Sequence, residues 1–154
     1  MNLTANFSLH ELTKSETALR LNIENEPDDA QTESLRLLCE KVLQPVRDHF
    51  GKGVKVNSAF RCAELNRAAN GSPTSDHCKG MAADIEIPGV PNAELAQWIM
   101  DNLDYTQLIL EFYTPGIPDS GWVHVSYDPN NLKNQELTAT KQAGKTVYLN
   151  GLVA

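Results

Sequence analysis

Leu35, Leu38, Cys39, Val42, Leu43, Val46 and Phe50 recur at intervals of three and four residues, the spacing that lines one face of an α-helix. Gly51, just beyond, predicts the C-terminal stop of that helix. Pro45 lies inside the pattern and predicts a kink, because it has no amide proton to donate. Upstream, Ser8 and Glu11 have the spacing of a capping box. Ser15 opens a second short helical run, with Leu19 and Ile23 as expected core contacts. Residues 24–29 are acidic, contain Pro27 and read as a loop.

Downstream the period shortens towards two. Residues 54–59 alternate and carry β-branched side chains, which predicts a strand. Residues 62–69 read as a short helix ending at Asn70-Gly71, and residues 72–80 are polar and turn-rich. Residues 81–87 form a small and apolar strand interrupted by Asp84 and Glu86. Asn92 is expected to cap a helix that buries Leu95, Trp98, Ile99 and Leu103. Residues 107–112 predict a strand with Leu108, Leu110 and Phe112 facing the core. Residues 114–121 form a Pro- and Gly-rich loop, and residues 121–127 a further strand. Residues 137–141 and 146–149 suggest a closing hairpin around Gly144. No repeat, low-complexity tract or linker interrupts the chain, so a single domain over residues 1–154 is expected. Helices first, then strands with one inserted helix, predict an α+β fold: a mostly antiparallel sheet flanked by helices.

The length of 154 residues allows a hydrophobic core without disulfide staples. Thirteen basic against 20 acidic residues give a formal net charge of −7. With no cluster of Lys and Arg, nucleic acid is excluded as a partner. No apolar stretch approaches a membrane span. Cys39, Cys62 and Cys78 are odd in number and fit no Cys-x-x-Cys pattern, so a disulfide framework is not expected.

The candidate chemistry lies in four segments. Asp84 sits in a strand of small and apolar residues, where a carboxylate needs a partner or a cation. His77 precedes it in a turn, and Gly80 lets the chain bend so that both can face one point. In Trp122-Val123-His124-Val125-Ser126, strand alternation puts Trp122, His124 and Ser126 on one face and the valines, with Tyr127, on the other. His77, Asp84 and His124 then form a three-ligand set suited to one zinc ion, with a fourth position left open, as in catalytic sites. Cys78 is disfavoured as a ligand because its side chain points away from that of His77. Glu111 can act as general base if its strand pairs with that of His124. Arg61 can clamp a carboxylate or an oxyanion, or serve in an ion pair. Trp122 and Ser126 are candidates for touching substrate. Ser75 either does so or bonds local backbone.

Ser75-x-His77-x-x-Gly80-x-Ala82-x-Asp84 followed by Trp122-x-His124 resembles the zinc peptidases of the D-alanyl-D-alanine carboxypeptidase group. That group includes the vancomycin-resistance D,D-dipeptidases and phage L-alanyl-D-glutamate endolysins, and the Hedgehog domain shares the fold. The helix around Leu43-Gln44-Pro45-Val46-Arg47, the segment 58–61 and the closing hairpin are similar to it as well. The resemblance implies zinc on His77, Asp84 and His124, substrate or oxyanion contact by Arg61, a substrate-side role for Ser75, and peptidoglycan or another D-amino-acid-containing peptide as substrate. One departure stands out. Many members carry the catalytic Glu three residues before the last His, where this chain has Gly121. Glu111 is the favoured base, with Asp119 as the alternative, and a catalytically silent zinc-stabilised binding module is the competing reading. Residues 1–12 lack a basic head and apolar run. Synthesis in the cytoplasm is therefore expected, with action on the wall after release or as a virion component, as a monomer.

Overall fold

The computed structural model describes residues 1–153. A short ribbon of β1 (Asn2–Thr4) and β2 (Phe7–Ser8) leads into α1 (Leu9–Thr13), α2 (Glu16–Leu21), α3 (Asp29–Leu38) and α4 (Gln44–Phe50). Then follow β3 (Lys55–Ser58), α5 (Ala63–Ala68), β4 (Ala82–Glu86), α6 (Asn92–Asn102), β5 (Gln107–Glu111), β6 (Trp122–Ser126), β7 (Gln135–Gln142) and β8 (Lys145–Asn150). The main sheet has six strands in the order β3-β4-β6-β5-β7-β8. Every neighbouring pair is antiparallel except β5 and β7. The architecture is thus the expected α+β class.

The apolar stripe of residues 35–50 builds the helical side of the core. Leu35, Leu38, Val42, Leu43 and Val46 are fully buried, in one cluster with Ile85, Leu108, Leu110, Val123 and Val125 of the sheet. One face of the sheet is therefore closed by helices, and the alternate residues are left to form a site on the other. The expected irregularity before Pro45 takes the form of a π-helical turn, Cys39–Leu43, between α3 and α4. Pro45 lies in the first turn of α4, where the missing amide costs least. Gly51 ends α4 in the left-handed conformation, at φ 64°. Ser8 and Glu11 form the capping box in full.

Three expectations are corrected. Leu19 is 83% exposed, and Ala18, whose amide Ser15 caps, is the buried residue of α2. Asn92 is not the cap of α6. That position falls on Pro91, and the buried Asn92 amide instead donates to Glu86 and to the carbonyls of Ser120 and Gly121. It ties the loop before β6 to the start of α6, and Asn92 N–H donates to Pro118 O of the same loop. Replacing Asn92 by Ala leaves these part-buried acceptors without their donor. It should cost about 1–3 kcal/mol, seen as a lower denaturation midpoint at an unchanged m value; an unmoved midpoint would remove the loop-anchor assignment. The third correction is Phe112, which belongs to the cleft rather than the core for the reason given below.

Candidate metal centre

His77 lies in a single 3₁₀ turn, Asp76–Lys79. Ser75 Oγ accepts from His77 N–H and caps that turn, the local backbone bond that was one of its two expected roles. Gly80 closes the turn at φ 73°, and a Cβ there would lie 2.5 Å from Gln31 O. Glycine is thus required both by the backbone angle and by the approach of α3. Gln31 Nε2 in turn donates to Cys78 O, locking the turn onto the helix. The His77 ring nitrogen Nδ1 is 2.6 Å from Ala59 O. A carbonyl can only accept, so Nδ1 carries a proton and Nε2 is the ring nitrogen turned to Asp84 Oδ2, at 3.4 Å. A Gly80→Ala variant should lose about 2–4 kcal/mol from strain and overlap and bind zinc more weakly. Unchanged stability and zinc affinity would show that the turn does not need this packing.

Asp84 on β4 and His124 on β6 are directly opposed in the antiparallel ladder, and so share one face. His124 Nδ1 lies 3.0 Å from Asp84 Oδ1. One ligating atom each from His77, Asp84 and His124 lies within 4.8 Å of the others. The side chains are only 4%, 16% and 13% exposed. Burial alone would raise the Asp84 pKa, but hydrogen bonds from His124 and His77 outweigh it and hold the carboxyl well below the usual range. Burial alone would lower that of His124; the bond to Asp84 and the Asp84 charge reverse this and raise it. Two imidazoles and one ionised carboxylate converging in a nearly dry site match the donor chemistry of a catalytic zinc centre. The tautomer of His77, pinned by Ala59, is also the one a metal ligand needs. Cys78 is not in the cluster.

Glu111 faces the same cleft. It pairs with Trp122 across the β5–β6 ladder, while Ile109 pairs with His124, so Glu111 stands diagonally beside the histidine. Burial, and then the Asp84 charge, raise its pKa; His124 and Arg61 act in the opposite direction. Asp119 is exposed in the loop and does not line the cleft. The glycine at position 121 also has a physical cause. Its φ is +64°, and a Cβ there would lie 1.9 Å from Glu111 O and 2.9 Å from Phe112 O. The loop can enter β6 only if residue 121 has no side chain, and the carboxylate beside the histidine comes from the neighbouring strand.

The cleft above these residues has a volume of about 610 Å³, within the range of small-ligand sites. Arg61 lines it with a buried Nε that has no partner, and no carboxylate lies within ion-pairing distance of its guanidinium among the described residues. Trp122 lines it as expected. Ser126 does share the His124 face, but it is 0% exposed, flanked in the ladder by Ala82 and Gln107, and absent from the cleft wall. The expectation that it touches substrate is therefore corrected. Phe112 has φ 55°, which breaks strand alternation and turns its ring towards Trp122, with 5.6 Å between centroids. Lys141 and Tyr148 of the closing hairpin complete the far wall. Sequence reading missed them, although the even spacing of residues 139 and 141 against 146 and 148 would place them on one face once the hairpin register is known.

Fold and site together define a metallopeptidase. The chain belongs to the peptidase M15 family, whose profile matches residues 5–126, and peptidases of this family depend on zinc. The match spans His77, Asp84, Glu111 and His124 and ends at the last residue of β6. No curated protein matches the chain.

Proposed function

We propose that the protein hydrolyses an amide bond in peptidoglycan stem peptides, at a bond involving a D-residue, as a zinc-dependent carboxypeptidase or endopeptidase. The observation that carries this reading is one arrangement: a His-Asp-His set, a base-like Glu111 beside it and an unpaired Arg61 guanidinium, all facing one open cleft. Zinc, which His77, Asp84 and His124 would hold, would supply Lewis acidity that polarises the scissile carbonyl and eases loss of a proton from the attacking water. Glu111 takes the proton of the attacking water and returns it to the leaving amine. Its raised pKa suits both halves of that exchange. Arg61 takes a substrate carboxylate or steadies the developing oxyanion. Trp122 and Phe112 wall the cleft and exclude water from one side. The Ala59 carbonyl keeps the His77 imidazole in a single tautomer.

The substrate class rests on the family and on the motif resemblance. We propose as its setting a phage or prophage enzyme, released through a membrane pore or carried on the virion and acting as a monomer. Recovery of the chain from secreted fractions without phage lysis would count against that setting. The test of activity is mass spectrometry of purified peptidoglycan and short D-amino-acid peptides after incubation, with chelator and zinc add-back. New stem-peptide fragments that vanish with chelator and return with zinc are expected, and they identify the bond. Intact substrate with zinc bound would sink the peptidase reading and leave a metal-stabilised binding module.

A further inference from the structure

The β7–β8 hairpin forms the wall of the cleft opposite Arg61, beyond the end of the family match. Register decides which of its side chains face the site. Ala139 pairs with Glu111 across the parallel β5–β7 ladder, so the two share the cleft face. Lys141, two residues on, returns to that face, as do Tyr148 and Thr146, the antiparallel partners of Ala139 and Lys141. Lys141 Nζ donates to Thr146 Oγ1 at 3.2 Å and stands 5.5 Å from the centre of the Phe112 ring. No carboxylate lies within ion-pairing distance of it among the described residues.

The sheet order turns this into a direction for the substrate. Arg61 follows β3, the ligands Asp84 and His124 sit on β4 and β6, Glu111 on β5 and Lys141 on β7. The cleft therefore runs across the strands, with one cation at each end and the reacting groups between them. Four strand spacings separate β3 from β7, roughly 19 Å. Long side chains reaching inward shorten that gap to the span of a few extended peptide residues. Arg61 and Lys141 are the only Lys or Arg side chains that line this cleft among the described residues.

We propose that Lys141, supported by Thr146 and flanked by Phe112 and Tyr148, is a specificity subsite for a second substrate carboxylate. That carboxylate lies two or three residues from the scissile bond, on the side away from Arg61. The inference rests on the peptidase reading and narrows its substrate to an acidic peptide with free carboxylates. An amidated stem peptide of the same sequence lacks the charge that Lys141 meets.

The test compares zinc-loaded Glu111→Gln protein with the same protein carrying Lys141→Met, Lys141→Arg or Lys141→Glu. Titration calorimetry measures binding of synthetic stem peptides amidated at one carboxylate at a time, which needs no turnover. At one position the free acid should bind about five-fold more tightly than the amide, as befits a partly solvated charge pair. That ratio should fall to about one in Lys141→Met, survive in Lys141→Arg and invert in Lys141→Glu. Equal ratios in all four proteins, or a loss of binding that treats acid and amide alike, would overturn the subsite. Steady-state kinetics on the wild-type chain then tests the peptidase reading separately. Binding discrimination without cleavage would refute that reading and keep the subsite.

Discussion

Replacing Glu111 by Gln should lower kcat by about 10²- to 10⁴-fold, the usual contribution of a positioned general base, while zinc stoichiometry stays unchanged. Gln keeps the size of the side chain and its place beside Trp122, but cannot take a proton. Glu111 is close to the ligands without being one of them, so metal analysis of the variant should match the wild type. The pH profile adds a second readout. Burial and the Asp84 charge raise the Glu111 pKa, so the acid limb of kcat/KM should lie above the ordinary carboxylate range. Activity falls as pH drops through that limb, because the protonated acid cannot accept. The residual rate of the Gln variant should lack the limb. Gly121→Glu should not rescue it, since any Cβ at that position collides with Glu111 O. A Gln variant within about three-fold of wild type would remove Glu111 from the chemistry.

The origin of Glu111 shows where sequence reading succeeds and where it stops. Alternation alone put His124 on one strand face and the valines on the other, and the ladder keeps that assignment. The helix of residues 35–50 was legible from its period because its apolar face is closed by a sheet, the condition under which amphipathic spacing is informative. Backbone angles were not legible in the same way. Phe112 reads as one more alternating core residue, yet a left-handed φ at the strand end sends it into the cleft. Gly121 reads as the loss of a catalytic carboxylate, and only the nearness of the Glu111 carbonyl shows that a side chain has no room there. Asn92 has the composition of a helix cap, but its amide is taken by two loop carbonyls that are distant in sequence. Ser126 sits on the correct face and still fails as a substrate contact, because period two says which way a side chain points and not what lies over it.

Removing zinc should produce the other large effect: complete loss of hydrolysis, and a stability change whose pH dependence differs between the two forms. In the metal-free chain Asp84 is depressed and His124 is raised. A depressed carboxylate contributes stability that is present above its unfolded pKa of about 3.9 and is lost as pH falls through the folded value. A raised histidine contributes stability that is present below its unfolded pKa of about 6.5 and is lost as pH rises through its higher folded value. Of these two contributions, both are intact only between roughly pH 4 and 6.5, so above that window the metal-free form should lose stability. Zinc adds a contribution of the opposite sign. It needs the neutral imidazole of His124, so affinity should weaken about ten-fold, or ~1.4 kcal/mol, for each pH unit below the raised His124 pKa. At fixed free zinc that weakening appears directly as lost stabilisation. For a chain of this size it corresponds to about 3–6 °C in Tm per pH unit. Thermal melts from pH 5 to 8, with chelator and with buffered zinc, should therefore diverge as pH rises. Curves that stay parallel would mean that zinc does not displace a proton from the His77-Asp84-His124 cluster, and the assignment of these residues as its ligands would fall.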